Sequence, residues 1–444
     1  MPSLKHRELN PTVRFALPVM IENVLTMIAV QIAAVLIGGI SGASLAATGT
    51  GNMMLNFTSA AFTMINTGTA VLVSRLVGAR EGGQAAEVLE QAISLLLALS
   101  AAAALLFFGA ARPVMRLLMP TAEAALMDEA VIYFRISALS FPFLMLQTLL
   151  SGALRAAGNS RASMFLTVGM NALMALLAWL FIGVCGWGIH GAGLAYALAR
   201  VAGAAAASVI VARYHGRFVV RLKGILRPRR ATYARILRVG LPMSLEQISV
   251  QGGYLIGNSL AVGLGTLSAT VFQVCTNINN IIWMPNGVCA ATSQSMAGLR
   301  LGEGRTDEAK RVVRQVWLTG AASVLTISLV IALLSRTVAG IYSGDGAVID
   351  MARPVLWLSV LMSVPAMSVN TTDAALRAGG DAKFVMAASV IGVWLIRLPL
   401  TWLLAYRCGM GVMGVFLANF ISLSFRMVMG LGRVFSGKWI HGAL

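Results

Sequence analysis

Two glutamates stand inside apolar stretches, each four residues after a proline. Glu22 follows Pro18 in Arg14-Phe-Ala-Leu-Pro18-Val-Met-Ile-Glu22-Asn23, and Glu246 follows Pro242 in Arg238-Val-Gly-Leu-Pro242-Met-Ser-Leu-Glu246-Gln247. Each lies about nine residues into its run, roughly 14 Å along a helix and so near mid-depth of a bilayer. An ionisable group at that depth must be paired, solvated or functional. The proline before each one withholds a backbone N–H and kinks a helix, leaving carbonyls free to meet a cation or water. Glu246 and Glu22 are therefore candidate sites for a coupling ion, H+ or Na+. Asp373, one turn before Arg377, is a third candidate, with a solvated end-of-span carboxylate as its other reading. Arg200 and Arg397 also fall inside spans, and the pairs Glu22–Arg200 and Glu246–Arg397 would make the glutamates packing devices instead.

Neutral polar side chains supply a candidate substrate cavity: Gln31, Asn52, Asn56, Asn171, Asn258, Gln273, Asn277, Asn280 and Asn370, with Asn66 and Asn279 beside them. Asn52 and Asn56 lie one helical turn apart, as do Gln273 and Asn277, so each pair shares a helix face. Lipid disfavours such faces and turns them toward a cavity or a neighbouring helix. The 24 methionines suit a cavity that repacks around varied ligands, although core packing is the ordinary role of any one of them. Cys185, Cys275, Cys289 and Cys408 form no CxxC pair, and His190 is the one histidine away from the termini and the basic linker. No metal site, resident cofactor or acid–base cluster is expected, which argues against an enzyme.

The chain of 444 residues is 58% hydrophobic and 11% charged, with a mean hydropathy of +0.81. Soluble domains carry about 25% charged residues, so a water-soluble protein is excluded in practice. Apolar runs at about 13–40, 46–74, 88–111, 131–155, 162–183 and 190–213, then 237–262, 268–298, 312–334, 353–376, 384–405 and 412–434, are each long enough to cross a bilayer. The expected fold is an all-α membrane protein with twelve transmembrane helices. The first run exceeds the 7–15 residues of a signal-peptide core and is read as a retained span.

Of the Lys and Arg residues, 26 fall on the side holding both termini, 5 on the other and 3 within spans. That bias places both termini in the cytoplasm of a multi-pass inner (plasma) membrane protein. It also explains the net charge of +18 without nucleic acid as a partner.

The sequence repeats itself. Besides the two Leu-Pro…Glu segments, 224 residues apart, Gly78 and Gly302 lead into charged turns followed by Val88-Leu89-Glu90-Gln91 and Val312-Val313-Arg314-Gln315. Ala153-Leu154-Arg155-Ala156-Ala157-Gly158-Asn159 matches Ala375-Leu376-Arg377-Ala378-Gly379-Gly380-Asp381 at a shift of 222. Cys185-Gly186-Trp187-Gly188-Ile189-His190-Gly191 matches Cys408-Gly409-Met410-Gly411-Val412-Met413-Gly414 at 223. Each unit holds an even number of spans, so the repeat is parallel, a 6+6 arrangement of two pseudo-symmetric six-helix lobes. Residues 1–213 form the N-lobe with spans 1–6, 214–236 a cytoplasmic basic linker, and 237–444 the C-lobe with spans 7–12. Two such lobes can rock about a cavity and expose it to alternate faces, the behaviour of a secondary transporter.

These segments, in this order and over nearly the whole chain, resemble the MATE (multidrug and toxic-compound extrusion) family. The resemblance implies an antiporter that exports organic, often cationic, multidrug-type compounds against inward H+ or Na+ flow, functional as a monomer in the bilayer. Many members carry an Asp in span one, where counting back from Gly38 gives Ala33, with Gln31 the nearest polar group. The usual acid of span five is also missing beside Asn171. Cation coupling is therefore expected in the C-lobe, around Glu246 and Asp373. The rival readings are a lipid-linked oligosaccharide flippase of the same superfamily, whose pyrophosphate needs cations such as Arg200 and Arg397, and a membrane-embedded enzyme. Cysteine labelling across 214–236 is expected to occur only from the cytoplasmic face; labelling from outside would overturn the orientation and the repeat argument together.

Overall fold

The computed structural model describes residues 11–38, 42–118, 124–213, 220–343 and 345–441. Their secondary structure is helical throughout. Twelve long rods stand where the apolar runs predict them. In the first half they are α1 (Pro11–Gly38), α2 (Gly42–Gly78), α3 (Gly82–Gly109), α4 (Ala124–Ala156), α5 (Ser160–Val184) and α6 (Gly188–Ala212). The second half has α7 (Arg230–Gly263), α8 (266–302), α9 (Thr306–Leu333), α10 (Gly346–Ala378), α11 (Ala382–Arg407) and α12 (Gly411–Phe435). Nine of them are long and apolar enough to cross a membrane on hydropathy alone. The others are α1, α7 and α8; α8 breaks at Trp283 into Thr266–Ile282 and Met284–Gly302, with Pro285 in the first turn of the second piece.

Helices Ala111–Leu118 and Ser335–Tyr342, which follow α3 and α9, were not anticipated from the apolar pattern, being short and partly charged. They stand 224 residues apart, so they belong to the repeat.

Two compact units divide the chain within α7, one spanning Val13–Gly240 and the other containing Leu241–Leu444. In the first lobe α4 packs against α2, α3 and α6, burying Tyr133, Phe134, Phe141, Leu149 and Leu154. In the second lobe α10 takes the same place among α8, α9 and α12. Its buried Ser359, Ser368 and Thr372 return their hydroxyls to the carbonyls of Val355, Val364 and Ser368 at 2.7–3.0 Å, so small polar residues pack closely without orphaned groups. Outward faces are apolar, as lipid requires: Leu105, Phe165, Leu395 and Phe435 are all more than 60% exposed.

Residues 220–236, assigned from sequence to a linker, belong to the first unit. A short helix, Leu222–Ile225, and its flanks are fastened to the start of α3. Glu90 Oε1 accepts the Arg221 backbone N–H at 2.6 Å. Gln91 donates to the carbonyls of Gly224 and Arg227 and accepts from the Arg229 N–H. Glu87 pairs with Arg229 at 2.8 Å and accepts from Thr232.

The repeat extends to backbone angles. Gly158 and Gly380 have φ of 89° and 88°, Gly186 and Gly409 both 67°, Gly188 and Gly411 both 55°. At the turn where Gly304 has φ 76°, the first lobe carries Arg80 at φ 63°, the one non-glycine residue at positive φ among those described. Both α5 and α11 end in a wider turn, closed by the N–H of Cys185 to Leu180 and of Cys408 to Leu403, five residues back. The next helix then crosses close to it. A Cβ on Gly191 would lie 3.0 Å from the Phe181 oxygen, and one on Gly414 2.7 Å from the Ala405 nitrogen. Gly414→Val should therefore destabilise the protein by about 2 kcal/mol or more. Gly432→Val is the control, since a Cβ there meets nothing within 4 Å. Thermal unfolding of the two purified variants checks this, and equal midpoints would refute the close crossing.

Candidate functional site

The N-terminal half of α1, which carries Pro18, brings Glu22, 6% exposed, against the ends of α4 and α5. Its partner is Arg155, in the last turn of α4, not Arg200. Arg155 Nη1 donates to Glu22 Oε1 at 2.8 Å and to Ser163 Oγ at 2.6 Å. Ser163 and Thr167, one turn apart on α5, donate to the same carboxylate at 3.3 and 2.9 Å. One turn deeper, Asn171 Nδ2 donates to Thr26 Oγ1 at 2.9 Å. Arg200, on α6, bonds neutral groups instead: Ser140 Oγ at 2.8 Å and the Ser137 carbonyl at 3.3 Å, with its guanidinium 5.5 Å from the Tyr196 ring.

One cavity of about 390 Å³ lies inside the first lobe, walled by Glu22, Arg155, Asn56, Asn171, Tyr196 and Arg200, with Gln147 and Ser151 among the rest. It holds one acid against two guanidiniums.

In the second lobe Arg377, in the last turn of α10, donates through Nη2 to both oxygens of Glu246, at 2.6 and 2.7 Å. Arg397 is not the partner. Ser389 donates to Glu246 Oε1 at 3.4 Å. Thr167 and Ser389 are 222 residues apart, so both lobes build the same acid–guanidinium–hydroxyl unit. The second lobe adds another pair: Arg426 Nη2 donates to Asp373 Oδ2 at 2.8 Å and stands 3.7 Å from Glu246. Asp373, at 6% exposure, is thus a buried ion-pair partner and not a solvated end-of-span group. The first lobe has Ser151 and Gly203 at the corresponding positions, and Ser151 lines the open cavity.

The remaining polar candidates do not line this cavity. Asn52 accepts from the Tyr133 hydroxyl at 3.1 Å, next to Arg200's neighbourhood. Gln273 reaches Asn277 at 3.5 Å on an exposed face, and Asn370 folds back to the Ala366 carbonyl at 2.8 Å. Asn258 and Asn280 are exposed. The side chain of Gln31 lies outside the described residues. Sequence reasoning missed Arg155, Arg377 and Arg426, which fall among the 26 basic residues of the side holding both termini. The signal was present, because Arg155 and Arg377 stand inside the repeated Ala-Leu-Arg segment and the glutamates in the repeated Leu-Pro segment.

Each lobe is a bundle of long helices, most of them apolar enough to cross a membrane, with an acid–guanidinium network buried inside it. The MatE family profile matches residues 18–180 and again 242–403, once in each lobe. The chain is 27% identical over 431 residues to the "Uncharacterized transporter YisQ" of Bacillus subtilis strain 168, covering 96% of this chain and 93% of that protein. It is 24% identical over 432 residues to the "Probable multidrug resistance protein NorM" of Thermotoga maritima, covering 96% and 92%. The crystal structure of MATE in complex with MaD3S superposes with a TM-score of 0.87 at 21% identity over 96% of both chains. The chain belongs to the MATE family of transporters, which are not enzymes.

Removing the cation of a buried pair strands a charge and costs about 3 kcal/mol. Arg377→Gln is expected to lower the unfolding midpoint more than Arg155→Gln, because Glu246 is then left to share Arg426 with Asp373, whereas Glu22 keeps Thr167 at 2.9 Å and lines a cavity wide enough for water. Differential scanning fluorimetry of both variants measures it, and the reverse order would contradict the geometry.

Proposed function

We propose that this protein is a secondary active antiporter exporting small organic compounds of the cationic, multidrug type in exchange for inward H+ or Na+. It would act as a monomer in the inner membrane, with both termini cytoplasmic and with rocking of the two lobes as the alternating step. The relatives' names support multidrug export: the Thermotoga maritima protein is called a probable multidrug resistance protein.

The observation that carries the coupling reading is Glu22, a carboxylate that lines the first-lobe cavity. A proton or Na+ on Glu22 cancels the negative charge an organic cation would use. Two ligands that each weaken the other's binding exchange across the membrane rather than travel together. Arg155 must yield its place for either to bind, and it lines the same cavity. The second-lobe acids are less available, since Arg377 engages both oxygens of Glu246 and Arg426 engages Asp373. This reading moves the primary coupling site from Glu246 and Asp373 to Glu22.

One observation favours the flippase reading. Arg155 and Arg200 outnumber Glu22 in the cavity, a balance suited to a phosphate-bearing ligand. Dye efflux in everted vesicles separates the two readings, with a pH gradient or a Na+ gradient imposed. The antiporter gives efflux stimulated by one gradient, reduced at least tenfold in Glu22→Gln. Efflux driven by neither gradient would defeat the antiporter and favour the flippase.

A further inference from the structure

Among the described residues the second lobe holds a deep guanidinium with no acid to balance it. Arg397, 5% exposed, makes no ion pair; its guanidinium carbon stands 4.5 Å from the Tyr254 ring centre, and its Nε is buried without an acceptor. It lines a small pocket of about 20 Å³ together with Tyr254, Asn279, Trp283 and Asn419. Two more donors there have no partner: Asn279 Nδ2, on a residue 1% exposed, and Trp283 Nε1. No aspartate or glutamate lines the pocket, and the second-lobe acids Glu246 and Asp373 are engaged by Arg377 and Arg426.

Buried donors are nearly always satisfied, so three unsatisfied ones around one hollow point to an occupant. The volume admits one water-sized species. Water offers two lone pairs and no charge, which leaves both a donor and the guanidinium charge uncompensated in a low-dielectric interior. A small anion answers both. Asn279 Oδ1 is also unpartnered, so this amide can present either end to the pocket, and a half-turn exchanges acceptor for donor.

The internal repeat provides a control. Positions 279, 283 and 397 correspond to Leu55, Ser59 and Ala175, and the one side-chain donor among these, the Ser59 hydroxyl, is already given to the Leu55 carbonyl at 2.8 Å. The backbone diverges at the same place. Helix α11 runs through a wide turn over Ile391–Arg397, whereas the matching stretch of α5 lies inside the regular helix Ser160–Ala178. Such single wide turns re-aim side chains and cluster at functional positions. Chain geometry and donor set depart from the duplicated pattern together.

We propose that this pocket binds a small monovalent anion, chloride in the cell, through Arg397 Nε, Asn279 Nδ2 and Trp283 Nε1. The site is independent of the coupling reading above and involves none of its residues. The test is the unfolding midpoint of the purified full-length protein, titrated with sodium chloride against sodium gluconate at constant ionic strength. A ligand of the native state raises the midpoint in a saturable way, here by about 2 °C or more. Asn279→Leu, which installs the first-lobe residue, and Arg397→Gln should each abolish the chloride-specific shift, while Arg407→Gln, on an exposed arginine, keeps it. A wild-type midpoint indifferent to the anion means that water alone occupies the pocket and overturns the proposal; so does an undiminished shift in folded Asn279→Leu. Should both pocket variants fail to fold, bromide-soaked wild-type crystals decide: an anomalous peak within hydrogen-bond distance of Arg397 supports the site, and its absence refutes it.

Discussion

A carboxylate carried into a low-dielectric interior must be met by a cation and by hydrogen bonds, or it will not stay charged there. This chain satisfies that constraint twice with one design. Glu22 and Glu246 each follow a helix-kinking proline, each meets a guanidinium from the last turn of the lobe's central helix, and each takes a hydroxyl from the helix after it. Three helices per lobe are thereby fixed in register at one point. The close crossings at Gly191 and Gly414 hold the far ends of the hydroxyl-bearing helices α5 and α11 against the helices that follow them, so packing braces the helix that supplies the hydroxyl.

Where the lobes differ, the difference is spatial before it is electrostatic. Asp373 and Arg426 fill the second lobe where Ser151 and Gly203 stand in the first. Large charged groups that neutralise each other make a solid interior, and small residues leave a hollow. One lobe thus keeps a polar chamber beside its glutamate while the other spends the same volume on a second ion pair. The balance of charges follows from this. Each lobe retains one mid-helix arginine without a carboxylate, Arg200 against serines and a tyrosine ring, Arg397 against Tyr254.

The helices, their number and the twofold repeat were legible in sequence because they follow from apolar run length and from matching segments. Glu22 and Glu246 were legible as important, since charge inside an apolar run is conspicuous. Their partners were misassigned for a physical reason. Arg200 and Arg397 looked like the counter-charges because they lie deep in their spans, yet an arginine at a helix end reaches back along its stem to an acid that lies below it. Arg155 and Arg377 were counted as surface charge for that reason. An acid and a base that both survive an internal duplication were the better guide. The break of α8 at Trp283 and the wide turn before Arg397 were not legible, since neither leaves a compositional mark beyond Pro285.

The fastening of residues 221–232 onto Glu87, Glu90 and Gln91 has a consequence for how the gene can be cut. Charge and composition suggest an inert connector, a convenient seam for expressing the halves as separate polypeptides. Severed at its downstream end, the stretch would stay docked on the half that made it; severed upstream, it would leave with the wrong half and strip three polar side chains of their partners.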